Sequence, residues 1–321
     1  PIGFAAGPHS QLAQNIVGAW LCGARFIELK TVQTLDELNV TKPCIDMQDE
    51  GYNCEWSQEL KIHESFEQYL NAWIIIHILN FRFNKNNNVP IGTIFNMSVG
   101  YNLEGILNQN VQWFFEKMQD CKSEKDAKIK EIKHLVPKIE QITIPDRISN
   151  NITLSTMHGC PPDEIERIGQ YLIATKNLHT VIKLNPTLLG KEKLTEILNN
   201  TLGFKTEVPD IAFEHDLKYD DAIGILKRLM LLAQNEGVEF GIKLTNTLES
   251  LNNKDILPES EPHMYMSGRS LHPISIAVAN KISNDIKESL SISFSAGIDY
   301  QNISKVLSCG VSPVTVCSDL L

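Results

Sequence analysis

The segment Ile152-Thr153-Leu154-Ser155-Thr156-Met157-His158-Gly159-Cys160-Pro161-Pro162-Asp163-Glu164-Ile165-Glu166 changes character twice within fifteen residues. It opens as a short buried strand, passes through a tight loop and restarts as a helix at the paired prolines. The acidic residues after them suit a helix N-terminus. The loop gathers two hydroxyls, Ser155 and Thr156, an imidazole, His158, and a thiol, Cys160. A rigid strand end aims such a loop and the helix end adds positive potential, which is where α/β proteins place chemistry. A free thiol buried beside a turn is the plainer alternative.

The same strand-to-helix unit recurs on both sides of this segment. Short β-rich runs at 2–5, 26–30, 93–98, 152–155, 181–184, 240–245, 291–295 and 314–317 alternate with helical periodicity. Each run is largely apolar and ends in small or polar residues. Apolar strands joined by crossover helices imply a parallel sheet covered on its outer face. Eight units with polar residues at the strand ends predict a (β/α)8 barrel, with an open doubly wound sheet as the structural competitor. Three connections exceed what a barrel needs: about 35–90, 103–149 and 195–220. The first contains a helix over 64–83, with Phe66, Leu70, Trp73, His77 and Phe81 at helical spacing as a core stripe. No repeat or low-complexity linker divides the chain, so one domain with helical excursions is expected over 1–321. The chain opens on Pro1 within a strand and stops at Leu321 just after another, which suggests a piece of a longer polypeptide.

Composition narrows the function. The 321 residues are 42% hydrophobic and 21% charged, as in a globular protein with a sizeable core. A formal charge of −10 argues against nucleic acid or an anionic membrane surface as partner. The longest apolar run, 72–79, is too short to span a bilayer. The seven cysteines are scattered and contain no Cys-x-x-Cys, so neither a disulfide framework nor a metal or iron–sulfur site is expected within the segment. A reducing cytoplasm is the matching compartment.

The strand ends are rich in polar groups. The second carries Glu28, Lys30 and Thr31, the fifth Lys183 and Asn185, and the sixth Lys243, Thr245, Asn246 and Thr247. A lysine within a barrel strand is costly unless an anion or acceptor receives it. One lysine pairs readily with a carboxylate such as Glu28, whereas two or three at one mouth suggest an anionic or electron-rich ligand. The last two units resemble a phosphate cradle: Ser295, Ala296 and Gly297 follow strand seven, and Cys317 and Ser318 follow strand eight. Ser267 and Gly268 add a third small-residue contact. No Walker A loop or Gly-x-Gly-x-x-Gly fingerprint is present.

In order along the chain, Ala5-Ala6, Leu29-Lys30-Thr31, Tyr101-Asn102, Leu154-Ser155, His158-Gly159, Lys183 to Pro186, Thr245-Asn246-Thr247, Ser267-Gly268, Ala296 to Asp299 and Val316-Cys317-Ser318 resemble the flavin barrel of dihydroorotate and dihydropyrimidine dehydrogenases. Closer still, residues 7–15, 26–33, 95–105 and 154–162 resemble the selenate reductase subunit family of long multidomain proteins. That resemblance implies a dihydroorotate dehydrogenase-like barrel holding FMN, with FAD, NAD(P)H and iron–sulfur clusters only outside this segment. It implies that Ala5, Ala6, Lys30, Thr31 and Thr245 border the flavin and that Lys183 stands at its N1/O2 edge. Ser267, Gly268, Ala296, Gly297, Cys317 and Ser318 would hold the phosphate, and Asn102, Asn246 and Thr247 would face the substrate. No metal site is implied.

One departure stands out. The dehydrogenases carry Asn-x-Ser-Cys-Pro, whose cysteine is the acid/base. The same register here reads Thr153, Leu154, Ser155, Thr156 and Met157, and a thiol returns only at Cys160. Threonine is a poor proton donor near neutrality, whereas an unperturbed cysteine titrates near ~8.5. Cys160 is therefore the first candidate for general acid/base, His158 the second and Thr156 the third. The expected activity is flavin-dependent reduction or oxidation of a C=C or C=N bond in a small purine- or pyrimidine-like ring, with electrons from a separate reductase module. The alternatives are a non-catalytic scaffold in an electron-transfer complex and a Schiff-base lyase using Lys183 or Lys243.

Overall fold

The computed structural model describes residues 1–35, 41–48, 50–54, 60–156, 158–287 and 289–320. Met157 of the loop, part of the first excursion and the terminal Leu321 lie outside the described residues. The strands found are β1 (Ile2–Phe4), β2 (Phe26–Glu28), β3 (Ile45–Met47), β4 (Gly51–Asn53), β5 (Ile94–Gly100), β6 (Asn151–Ser155), β7 (His179–Leu184), β8 (Phe240–Leu244), β9 (Leu248–Leu251), β10 (His263–Ser267), β11 (Ser291–Phe294) and β12 (Val314–Val316).

Eight of these close a parallel barrel in the order β1-β12-β11-β8-β7-β6-β5-β2. They are the eight runs expected from the sequence, shifted by a residue or two at their ends. Side chains alternate between the two faces of each strand. Ile27, Leu29, Phe95, Met97, Val99, Ile152, Leu154, Ile182, Leu184, Ile242, Leu244 and Phe294 are all at most 1% exposed and belong to the apolar core. Their alternates include Glu28, Asn96, Ser98, Thr153, Ser155, Lys183, Lys243 and Ser293. The sequence reads as nearly continuous apolar strands, yet this second face is polar. It is the lumen face, because Glu28 on β2 pairs with Lys243 on β8, and those strands are not neighbours in the barrel.

Helices Ala13–Leu21, Pro162–Gln170, Tyr219–Glu236 and Leu271–Asp285 fill four of the crossovers. Helix Ile62–Phe83 buries Phe66, Leu70, Trp73, His77 and Phe81 together, so the stripe is core packing. Trp73 Nε1 donates to the Pro145 carbonyl at 3.1 Å and fixes that helix against the second excursion.

The four remaining strands form an antiparallel sheet in the order β3-β4-β10-β9. Nothing in the sequence reading anticipates it. Its strands are three to five residues long, too short for a period of two to stand out. Met264 and Met266 are fully buried on one face of β10, while Ser267 on the other turns toward the mouth of the barrel. Among the described residues, no helix is long and apolar enough to cross a membrane.

Candidate functional site

A cavity lies at the C-terminal ends of the barrel strands, with the antiparallel sheet against its outer side. The barrel contributes Ala5, Ala6, Lys30, Thr31, Ser155, Lys183, Thr245, Asn246, Thr247, Ala296, Cys317 and Ser318 to its wall. The sheet side contributes Cys44, Ile45, Met47, Asn53, Cys54, Ser267 and Gly268. Gly297 opens on an adjoining cleft shared with Gly268, Arg269, Cys317 and Ser318. The structure thus brings together every residue expected to contact a cofactor, and two of the three expected to face a substrate.

Asn102 is the exception. Its Oδ1 accepts from Gly105 N at 2.8 Å and caps helix Leu103–Ile106, and it does not line the cavity. An asparagine directly ahead of a short helical stretch is an N-cap signal in its own right.

Small residues shape the end of the cavity near β11 and β12. Gly268 and Gly297 take φ of 73° and 56°, values that favour glycine. A Cβ on Gly297 would lie 2.6 Å from Arg269 Cα and 2.7 Å from the Gly268 carbonyl oxygen. A Cβ on Gly7 would lie 2.9 Å from Cys317 Sγ. The loops bearing Gly297 and Gly268–Arg269 therefore approach each other backbone to backbone, while Gly7 makes room for the Cys317 side chain, a setting that fits the phosphate of a flavin. Arg269 at this end is engaged by Asp299 at 3.4 Å and Asp319 at 3.1 Å.

The barrel lumen beneath the cavity has a charged floor, whose Glu28 and Lys243 do not line the cavity itself. Lys243 Nζ lies 2.7 Å from Glu28 Oε2 and donates to Thr315 Oγ1 at 2.9 Å; both ionic side chains are 1% exposed. Glu28 Oε2 also accepts from Ala6 N at 3.2 Å, which ties the floor to the loop after β1. Burial works against the Glu28 carboxylate, but Lys243, Lys183 and the Ala6 amide more than offset it, so its pKa falls below the ordinary carboxylate range. Lys183, the register partner of Lys243, lines the cavity. Burial lowers its pKa, Glu28 pulls it back up, and Lys243 pushes it down again.

Asn246 locks three strand ends together. Its Oδ1 accepts from Ser155 Oγ at 3.0 Å. Its Nδ2 donates toward Asn185 Oδ1 at 2.7 Å, with the Thr156 and Lys183 carbonyls also within 3.2 Å. Thr156 Oγ1 in turn donates to the Lys183 carbonyl at 2.9 Å. The Thr156 hydroxyl is thus spent on the backbone and does not line the cavity.

Cys160 is also away from the cavity. It is 8% exposed and packs into the apolar core. Burial, with Glu164 and Asp163 nearby, pushes its thiol up to about 12. His158 does not line the cavity either, but it is held by a buried carboxylate. Its Nδ1 lies 3.2 Å from both oxygens of Asp216, whose side chain is 2% exposed. The same carboxylate accepts from Thr187 Oγ1 at 2.7 Å and Gly159 N at 3.2 Å. These donors hold Asp216 below the ordinary carboxylate value despite its burial. The His158 ring lies 5.7 Å from that of Tyr265, which occupies the same face of β10 as the cavity-lining Ser267. Sequence reasoning missed Asp216, because 58 residues separate it from His158 and nothing local marks it.

Over residues 1–321 the chain matches the family model described as the oxidoreductase YgfK N-terminal TIM-barrel domain. It is 45% identical over 346 aligned residues to the protein named "Putative oxidoreductase YgfK" of Escherichia coli strain K12, covering 100% of this chain and 33% of that one. The like-named protein of Escherichia coli O157:H7 gives the same figures. The chain thus spans about a third of the length of the curated relatives it matches. Among solved structures it resembles DHODH from Eimeria tenella, crystallised with ferulenol, at a TM-score of 0.58 and 14% identity over 99% of this chain and 75% of that one. Ligand-free DHODH from the same organism gives a TM-score of 0.54 at 14% identity, covering 99% and 78%. At that identity the likeness extends to the fold.

Proposed function

This chain belongs to the family of YgfK oxidoreductase N-terminal TIM-barrel domains, and on that premise we propose that its strand-end cavity is an FMN site serving the reduction or oxidation of a C=C or C=N bond in a small heterocycle. The observation that carries the reading is a cavity walled by the cations Lys30 and Lys183 that adjoins a cleft shaped by Gly268 and Gly297. Ser267, Gly268, Ala296, Gly297, Cys317 and Ser318 would hold the phosphate. Ala5, Ala6, Lys30, Thr31 and Thr245 would border the ring system, with Lys183 at its electron-rich edge. FMN, when bound, supplies hydride exchange with the ring substrate. The chain supplies orientation, charge and the proton. The sequence resemblance to selenate reductase subunits stays with the proposal as the likeness of the whole protein, and the pairing of substrate class with Asn246 and Thr247 is part of it.

For the proton, His158 has the better setting of the three candidates. Cys160 has a thiol raised far above neutrality, and the Thr156 hydroxyl donates to a carbonyl. His158 is held by a buried carboxylate and stands next to a ring on the inner face of the antiparallel sheet. An imidazole oriented by a carboxylate is the common form of a general acid at neutral pH. Electrons would come from an FAD, NAD(P)H or iron–sulfur module in the part of the relatives' length that this chain does not span. The free cysteines suit a cytoplasmic setting. The scaffold alternative draws on the withdrawn Cys160 and Thr156, but it leaves the lysine layer without a use.

Titration of the purified chain with FMN, followed by flavin fluorescence, tests the reading. Saturable quenching with one FMN per chain, lost in Lys183→Met, is expected. Protein that leaves FMN fluorescence unchanged overturns it.

A further inference from the structure

Glu28 and Lys243 have no role in the function proposed above, yet they are the most deeply buried ions in the described chain. Lys243 is among the largest fully buried side chains, in company otherwise made of aromatic and aliphatic residues. A buried ion pair gains little over well-packed apolar side chains, because desolvation cancels much of the attraction. Stability alone therefore does not explain its presence in the lumen.

The register supplies the reason. Lys183 and Lys243 stand opposite each other on the adjacent parallel strands β7 and β8, a strand spacing of about 4.8 Å apart. Two ammonium groups at that spacing repel, and one carboxylate serves the layer. Glu28 Oε2 takes Lys243, and Thr315 Oγ1 takes a further proton of the same ammonium. The other oxygen, Glu28 Oε1, is buried and accepts no hydrogen bond among the described residues. Among the described residues the Lys183 ammonium makes no hydrogen bond or ion pair, and it sits in the cavity wall within the field of Glu28, Lys243, Lys30 and Cys317.

We propose that Glu28 is the charge-setting residue of this site: by pairing with Lys243 it holds the second lysine away from the cavity and keeps Lys183 as the cation presented to an anionic or electron-rich ligand. Glu28 acts through Lys183 and is a positioning residue. This deepens the FMN reading and rests on it only for the identity of the ligand, since the state of Lys183 is a property of the chain alone. The groups that face the Lys183 ammonium are Glu28 from β2, Lys243 from β8, Lys30 beyond β2 and Cys317 beyond β12. Glu28 favours its charged form, and Lys243 and Lys30 oppose it.

The test is an NMR titration of ε-13C-lysine in the ligand-free chain, with the Lys183 signal assigned by its loss in Lys183→Met. Glu28→Gln keeps one acceptor oxygen for Ala6 N, turns the other into an amide donor and removes the charge. It is expected to lower the Lys183 midpoint by about one pH unit or more. Lys243→Met removes the like charge, frees Glu28 for Lys183 and is expected to raise the midpoint. The opposite signs distinguish charge setting from general loosening of the barrel, which moves both variants the same way. Should Glu28→Gln fail to fold, the rise in Lys243→Met carries the test. Midpoints unchanged from wild type in the folded variants overturn the proposal. FMN titration of the same samples separates the two readings. Shifted midpoints without FMN binding refute the cofactor and leave the charge setting standing; FMN binding with unshifted midpoints does the reverse.

Discussion

Nδ1 of His158 lies 3.2 Å from both carboxylate oxygens of Asp216, joining the loop after β6 to a segment 58 residues further along the chain. Asp216 also accepts from Thr187 and Gly159, so one buried carboxylate anchors three points. Its folded pKa is depressed, so the stability it contributes is present above the unfolded value near ~3.9 and is lost as pH falls through the folded value. Asp216→Asn is expected to cost about 1–3 kcal/mol at pH 7, with a gap to wild type that narrows below about pH 4. Urea unfolding at a series of pH values measures this, and a gap that stays constant down the acid limb would contradict it.

Gly297 and Gly268 should differ sharply in their tolerance of a methyl group. At Gly297 the new Cβ meets backbone atoms at 2.6 and 2.7 Å with φ at 56°, and backbone cannot swing aside. At Gly268 φ is 73°, but the nearest atom is the Ser318 hydroxyl at 3.3 Å, which can rotate. Gly297→Ala is expected to lose more than about 2 kcal/mol and Gly268→Ala about 1 kcal/mol. Denaturant midpoints of the two variants decide it, and equal losses would remove the argument for close-packed loops.

Cys160 should behave as a core residue. Its raised thiol and 8% exposure predict slow alkylation by iodoacetamide at pH 8, well behind the exposed Cys22 and Cys309. Peptide mass spectrometry against time gives the order. Alkylation of Cys160 ahead of Cys22 would restore it as the acid/base.

Asn246→Ala removes the amide that Ser155, Asn185 and the Thr156 and Lys183 carbonyls share. About 2–4 kcal/mol should be lost, because several buried partners are left unpaired together. Asn246→Asp keeps the shape but presents an acceptor to those acceptors, and it is expected to cost at least as much. Thermal unfolding of both variants settles the comparison; an alanine variant as stable as wild type would show that the strand ends are held elsewhere.

The barrel was legible because its longer strands each bury one apolar face. Ile152 and Leu154, or Ile242 and Leu244, announce a strand whatever their alternates do. The small residues at the ends of β11 and β12, Ser295-Ala296-Gly297 and Cys317-Ser318, were legible for a related reason, since small residues after a strand end are specific in use. The antiparallel sheet was not legible: β3 and β4 are three residues each, and β4 finds its partner β10 more than 200 positions away. The same distance problem hid Asp216. Asn102 and Cys160 mislead for a different reason. A residue type suited to chemistry is equally suited to capping a helix or filling a gap, and only the fold decides between them.

The β4–β10 pairing has a consequence for how the chain reaches its native state. Gly51 and Ser267 stand opposite each other although strands β5 to β8 lie between them in the chain. The β1–β12 pairing that closes the barrel joins positions still further apart, and contacts of such long sequence separation carry a large loop-closure entropy and form late. During refolding the sequence-adjacent pairs β5–β6, β6–β7 and β7–β8 should gain hydrogen-exchange protection first, and the amides of β4–β10 and β1–β12 last. The chain therefore passes through a stage in which an arc of barrel strands exists while both the ring and its mouth still stand open to water.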